Sequence, residues 1–349
     1  MARKLSWGVI GAGGIAYRRT IPEGIIPAKN ACLVAVMDVV KPVAEKVGRE
    51  FQVSWYTREK DLLADRAVQA VYVATPANKH YRQAMMCLEA GKHVLIEKPM
   101  ALKLDECWQI LALAKRKGLK LGVDFMMRFH SLNKRIREMV AAGELGVPVM
   151  GRAQLSCWYP PIEGAWRQVP RLGGGGSLID MGCHCVDLLE FVFGSRVKEV
   201  SCFTGRLVHP YPVEDTAVMT VRFSSGAIGI VDACFNIPDN SSRNVLEIYG
   251  SKGSVVATGS IGQTPTGQAT AYLEKKAKGY DAQQQRSASC CQEVRFKPYN
   301  TYQAQIENFS EAVLKSGEVA VSGEDGLWNQ KIMMAAYAAA RTGRVFKLR

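Results

Sequence analysis

The chain has no apolar run near the roughly 20 residues a membrane-spanning helix needs, so no span is expected. Its opening, Met-Ala-Arg-Lys-Leu-Ser-Trp-Gly-Val-Ile, has neither the apolar core nor the small-residue cleavage site of a signal peptide, and a cytoplasmic location is the expectation. It has no C-x-x-C pair. The ten cysteines are scattered, and in a reducing compartment they are expected to stay free and pack as small apolar groups. Cys290 and Cys291 are adjacent, which is poor geometry for a shared metal. There is no long basic run and no basic helix interleaved with aromatics. The net charge of +13 is therefore assigned to an anionic ligand or to solubility, not to nucleic acid. Internal repeats and low-complexity tracts are also missing.

What is present is a globular composition, 48% hydrophobic, over 349 residues, which is the length of two domains. The first third alternates two patterns. Residues 5–10, 32–38, 68–75, 93–97 and 120–125 read as strands. Residues 42–51, 79–90 and 104–117 read as helices between them. Strands spaced by helices imply parallel pairing, because parallel neighbours need a crossover, and the sheet should be doubly wound. After about residue 125 the pattern changes. Helices at 131–142 and 177–193 precede strands at 198–203, 216–223, 228–235, 245–249 and 254–257. Short turns at Ser225-Gly226 and Ser251-Lys252-Gly253 join consecutive strands, as in an antiparallel sheet. Residues 259–290 read as a long excursion. Helices at 301–315 and 325–341 and a strand at 345–348 close the chain. The expected fold is α/β: an N-terminal Rossmann-type domain over 1–125 and an α+β domain over 126–349.

Residues 11–16, Gly-Ala-Gly-Gly-Ile-Ala, fit G-x-G-x-x-[G/A] through Gly11, Gly13 and Ala16. Gly11 permits a tight strand-to-helix turn, Gly13 lets backbone approach a pyrophosphate, and Ala16 lets helix pack close on strand. The phosphates would meet free N–H groups at the helix start, with Gly14 and Ile15 in the same turn. Asp38, at the end of the second strand, is placed to bond a ribose 2′-hydroxyl and to repel a 2′-phosphate. NAD is favoured for that reason, while Arg18, Arg19 and Lys41 lie near enough to leave NADP open.

Three further stretches carry a resemblance. They are Ala-Thr-Pro-Ala-Asn-Lys-His at 74–80, Gly-Lys-His-Val-Leu-Ile-Glu-Lys-Pro at 91–99, and Gly-Gly-Gly-Gly-Ser-Leu-Ile-Asp-Met-Gly-Cys-His-Cys-Val-Asp at 173–187. With the stretch from Tyr302 through Gly343, they resemble the glucose-fructose oxidoreductase, inositol dehydrogenase and MocA family (Gfo/Idh/MocA) over nearly the whole chain. The resemblance implies a Rossmann domain followed by a large open, mainly antiparallel sheet that covers the nicotinamide. It also implies NAD(P)-dependent redox chemistry on sugars or inositols. Glu97 would contact the nicotinamide ribose, and Thr75, Pro76, Asn78 and His80 would line the cofactor. Read locally, Asn78 suits a helix cap and His80 a surface position.

Lys98 follows a strand end, and Pro99 holds it away from helix geometry. A fixed ammonium there lowers the cost of an alkoxide developing on the substrate. Asp180 and His184 are four apart on a helix, so they face the same way, and His184 suits a general acid or base. Ser177 is the expected N-cap, glycines 173–176 would let the loop pass close to the ligand, and Asp187 would orient His184. Cys183 and Cys185 flank His184 about 100° away on each side, so no metal is expected with it. The resemblance implies substrate roles for Arg128 and the Trp166-Arg167 pair, and Tyr159 is a further candidate, with Lys98, Asp180 and His184 as the catalytic members of the set. The substrate would be a sugar, inositol or related polyol. A glycoside hydrolase or lyase working by transient oxidation, and a non-catalytic NAD(H)-binding protein, use the same cofactor site. An open sheet needs cover, so a homodimer or homotetramer is expected.

Overall fold

The computed structural model describes residues 3–274, 282 and 290–348. The chain forms two compact units. The first holds six strands: β1 (Leu5–Ile10), β2 (Ala31–Met37), β3 (Ser54–Tyr56), β4 (Ala70–Val73), β5 (His93–Ile96) and β6 (Leu121–Val123). All are parallel, in the order β3-β2-β1-β4-β5-β6. Helices cover both faces of such a sheet, so its strands read as continuous apolar runs; all four residues of β4 are buried. The crossover helices include Lys41–Glu50, Ala77–Glu89 and Leu104–Lys117, the last ended by Gly118 in the left-handed region. Strand β3 and the six-residue helix Glu59–Ala64 were not read from sequence, being too short to show a period.

The helix after the glycine turn, Ala16–Ile25, is wound as a π-helix, with the Ile26 N–H reaching Ile21 O five residues back at 3.0 Å. Pro22 lies inside it and offers no N–H to an α ladder. Helix Thr301–Leu314 belongs to this first unit although the sequence division at 125/126 put it in the second domain. Its Ser310 hydroxyl accepts from Trp7 Nε1 at 3.1 Å, and Phe309 packs 5.2 Å from the Trp7 ring. Segments Val169–Gly174 and Asn300–Lys331 join the first unit as a whole.

The second unit holds β7 (Pro148–Ser156), β8 (Val197–Gly205), β9 (Thr216–Phe223), β10 (Ile228–Cys234), β11 (Val245–Gly250), β12 (Gly253–Thr258), β13 (Gln268–Leu273), β14 (Cys290–Glu293) and β15 (Phe346–Lys347). Their order is β14-β13-β12-β11-β7-β10-β9-β8-β15, antiparallel throughout except for the β7–β10 pair. One face packs on helix Cys183–Phe193 through small residues: a Cβ on Gly151 would lie 2.8 Å from Phe193 Cζ and 2.9 Å from Leu189 Cδ2. The sequence reading missed β7, which lies at the centre of the sheet. It also read 259–290 as an excursion, whereas β13 lies inside it and pairs antiparallel with β14; residues 275–281 and 283–289 lie outside the described residues. Among the described residues no helix is long and apolar enough to cross a membrane.

Candidate functional site

In the first unit the expected cofactor residues gather at the carboxyl ends of the parallel strands. There the order reverses between β1 and β4, the switch point where such sheets bind ligands. Gly11 leaves β1 at φ +87°. A Cβ there would sit 2.7 Å from Ala74 O and 2.8 Å from Thr75 Cγ2, so the turn closes against the end of β4 only with glycine. Gly13 N–H donates to Asp38 Oδ2 at 3.2 Å, and Val40 N–H donates to Asp38 Oδ1 at 3.0 Å. The carboxylate at the end of β2 is thereby fixed beside the glycine turn. Gly14 stands at φ +52° with nothing within 4 Å of where a Cβ would be, and Ile15 begins the π-helix half-buried.

The loop after β4 is also fixed. The Thr75 hydroxyl donates to Gln83 Oε1 at 2.5 Å. Pro76 supplies the N-cap position of helix Ala77–Glu89, so Asn78 is not the cap and lies one residue inside the helix. Asn78 Oδ1 is buried with no hydrogen-bond partner among the described residues. His80 is fully buried rather than on the surface, its ring nitrogens 2.8 Å from Pro99 O and 2.8 Å from Thr75 O. Burial pushes the imidazole down, against the two carbonyls that favour its proton. His80 thus ties the β4 loop to the segment after β5 from behind. The open backbone at Gly14, the fixed Asp38 and the unsatisfied Asn78 carbonyl fit a bound dinucleotide.

Beyond β5, Glu97 Oε1 accepts from the Tyr72 hydroxyl at 2.7 Å, and its Oε2 from the Lys98 N–H at 3.2 Å. Lys98 is 8% exposed. Sequence reasoning missed the residues beneath Glu97. Tyr72 is fully buried in β4, and its hydroxyl also lies 3.1 Å from Asp124 Oδ2 and 3.1 Å from Thr20 Oγ1. Burial, then the charge of Glu97, pushes the Asp124 carboxyl well above the usual range. In sequence Tyr72 counts as one more apolar strand residue and Asp124 as a strand-end polar residue, so no local signal marks them.

The second unit brings together four of the expected substrate residues. Arg167 Nε donates to Asp180 Oδ1 at 2.9 Å, and the guanidinium lies 4.2 Å over the Trp166 ring. Burial raises the Tyr159 phenol, Arg167 lowers it and Asp180 raises it, so its hydroxyl shares their field. Tyr159 is held by its N–H to Phe235 O at 2.8 Å and by Tyr211, whose hydroxyl donates to Tyr159 O at 3.0 Å. Asp180 sits in a π-turn, Leu178–Gly182, which passes into the α-helix Cys183–Phe193 that carries His184. Single π-turns of this kind are concentrated at functional sites.

Two expectations around this helix need correction. Ser177 stands at the N-cap position of the turn Leu178–Gly182, but it has helical angles and its side chain makes no capping hydrogen bond. Glu214 takes that part, its Oε1 accepting from Gly176 N–H at 2.9 Å, Leu178 N–H at 3.1 Å and the Tyr337 hydroxyl at 2.7 Å. Burial raises the Glu214 carboxyl and these donors work against that. Gly175 and Gly176 are required by the protein itself. A Cβ on Gly175 would collide with the Tyr337 hydroxyl, and one on Gly176 with the Glu214 carbonyl.

Arg128 holds Asp187 in a bidentate pair, Nε to Oδ2 at 2.8 Å and the second nitrogen to Oδ1 at 2.5 Å, with Asp187 only 2% exposed. Arg128 was expected at the substrate and Asp187 behind His184; the pair between them is an added contact that joins the two residues. Cys183 and Cys185 are buried, and among the described residues no group of three or more His, Cys, Asp and Glu is placed to hold a metal ion.

A parallel sheet with a glycine turn at its switch point, and a carboxylate fixed at the end of the neighbouring strand, defines a nicotinamide-dinucleotide-binding oxidoreductase. The chain belongs to the Gfo/Idh/MocA family. Residues 5–125 match the oxidoreductase family's NAD-binding Rossmann fold, and residues 133–256 match the GFO/IDH/MocA C-terminal domain. A 1,5-anhydro-D-fructose reductase of Ensifer adhaerens is 28% identical over 98% of both chains. A myo-inositol 2-dehydrogenase of Thermotoga maritima is 30% identical over 96% of this chain and 95% of its own. Among solved structures, an aldose-aldose oxidoreductase of Caulobacter crescentus complexed with glycerol superposes with a TM-score of 0.89 at 26% identity, covering 99% of this chain and 100% of that one.

Proposed function

We propose that the protein is an NAD(P)-dependent dehydrogenase or reductase acting on a hydroxyl-bearing carbon of a sugar, inositol or related polyol. The observation that carries this is Lys98, an almost buried lysine one residue beyond Glu97 at the carboxyl end of a Rossmann strand. The dinucleotide would be held by the turn at Gly11, Gly13, Gly14 and Ile15, by Asp38, by Thr75, Pro76 and Asn78, and by Glu97. His80 supports that set from behind. When bound, it supplies the hydride acceptor or donor.

The chain's own residues manage the proton of the substrate hydroxyl. Lys98 stabilises negative charge on the oxygen as the proton departs, the preorganised-charge effect that dominates many active sites. His184 takes or returns the proton, and Asp180 accepts a hydrogen bond from the hydroxyl. Arg167, stacked on Trp166, holds Asp180 by its ion pair, and Tyr159 adds a second hydroxyl for a polyol. Asp38 favours NAD, because its carboxylate repels a 2′-phosphate. Steady-state assays over a panel of sugars and inositols test the reading: Lys98→Ala should lower kcat by about a hundredfold or more on the best substrate. Unchanged turnover in that variant would sink the mechanism.

The same reading places the protein in the cytoplasm as a homo-oligomer. Nine cysteines among the described residues are free thiols, which suits a reducing compartment. The nine-stranded sheet has an outer face with a row running Ile228, Met150, Tyr249, Ser254, Tyr272 across five strands. Phe203 and Val218 pair on that face, and Phe203 is 78% exposed. A second copy of the chain is the partner such a face fits.

A further inference from the structure

The Tyr72 hydroxyl has three oxygen neighbours and one proton. A phenolic hydroxyl donates once and accepts twice. Its shortest contact is Glu97 Oε1 at 2.7 Å, and the other oxygen of Glu97 already accepts the Lys98 N–H. The Tyr72 proton therefore goes to Glu97. Thr20 Oγ1, at 3.1 Å, donates to one lone pair of the hydroxyl. Asp124 Oδ2, also at 3.1 Å, faces the other lone pair. A carboxylate there would put acceptor against acceptor beside a second carboxylate, with Asp124 only 2% exposed. A carboxylic acid there donates, and every hydrogen-bonding position of the hydroxyl is then filled.

We propose that Asp124 is a neutral carboxylic acid in the folded protein and that, through Tyr72, it is a positioning residue for Glu97. The hydrogen-bond chain runs Asp124 to Tyr72 to Glu97, one proton at each of the first two links, and it ends on the carboxylate next to Lys98. Burial, the neighbouring charge of Glu97 and the side-chain approach of Glu97 itself favour the acid form, and Tyr72 and Gln305 oppose them without reversing the balance. All of these groups lie in the first unit. A carboxylate held in this way keeps one orientation toward the cofactor and leaves one negative charge, not two, beside the lysine. The inference rests on the reading of Glu97 as a cofactor contact.

Infrared difference spectra of the protein without cofactor, wild type minus Asp124→Asn, read the proton directly. The expected result is the carbonyl stretch of a protonated carboxylic acid at neutral pH that Asp124→Asn lacks. Loss of carboxylate bands alone overturns the proposal. NADH titration by fluorescence reads the positioning. Tyr72→Phe and Asp124→Ala should each weaken binding about fivefold, the worth of one net hydrogen bond. Asp124→Asn, neutral and of the same shape, should rescue it to within about twofold. Equal weakening in Asp124→Asn and Asp124→Ala, or none in Tyr72→Phe, overturns the positioning role. Glu97→Gln separates the two readings: if it binds NADH as wild type does, the Glu97 contact is wrong, and the infrared band reports on Asp124 regardless.

Discussion

Gly11 shows how little freedom single positions have here. At φ +87° an alanine is strained whatever its surroundings, and its Cβ would lie 2.7 Å from a backbone oxygen of the next strand. Gly11→Ala should lower stability by about 1–3 kcal/mol and abolish tight dinucleotide binding, read by thermal melts and NADH titration. Asp38 works by charge. Asp38→Ser should shift the ratio of kcat/KM for NAD over NADP by about tenfold toward NADP, the equivalent of roughly 1.4 kcal/mol. An unchanged ratio would mean that Arg18, Arg19 or Lys41 sets the preference instead. Asp187 is a different kind of residue. Asp187→Ala leaves the Arg128 guanidinium buried without that carboxylate, and the expected loss is about 3–5 kcal/mol in urea unfolding.

At the scale of elements, the loop before helix Cys183–Phe193 depends on a carboxylate from elsewhere in the unit. Glu214 caps it, and Gly176 passes so close to the Glu214 carbonyl that any Cβ collides. The neighbouring Asp215 does similar work for the segment 207–209, accepting N–H bonds from Leu207, Val208 and His209 and the hydroxyl of Thr216. Burial raises its carboxyl, but those donors outweigh burial and the net direction is down. A carboxyl held low in the folded state adds stability above its unfolded pKa, and that stability is lost as pH falls through the folded value. Wild type should therefore lose melting temperature more steeply than Asp215→Asn below about pH 5. Parallel slopes would show that Asp215 does not carry the acid sensitivity. Most long elements were legible in the sequence, because an apolar period survives without knowledge of neighbours. Strand β7 was not, since Pro148–Ser156 places the small residues Gly151 and Ala153 on its packed face and so shows only a weak apolar alternation.

For the whole molecule, the proposed assembly rests on the outer face of the nine-stranded sheet. Phe203→Glu combined with Ile228→Glu should convert an oligomer to a monomer in light scattering after gel filtration. The melting temperature of the unit should change little, because both side chains are exposed at 40% or more. A wild-type monomer at micromolar concentration would remove this role for the face. Helix Thr301–Leu314 is the counterpart lesson for domain division. It lies some 180 residues past the end of the first sheet yet packs on Trp7 at its centre.

The sequence by itself determined the glycine turn after β1, the carboxylate at the end of β2 and the Glu97-Lys98-Pro99 segment after β5, and it offered Asp180 and His184 as the candidate pair. Each is written in a few consecutive residues, and each owes its chemistry to local backbone geometry. Only the tertiary structure decided that an ion pair joins Arg128 and Asp187, that Glu214 rather than Ser177 caps the helix, and that Tyr72 and Asp124 stand beneath Glu97. Those pairings join residues far apart in the chain, and they hold because buried charges and hydroxyls must find partners once water is excluded. No local pattern specifies which partner that will be.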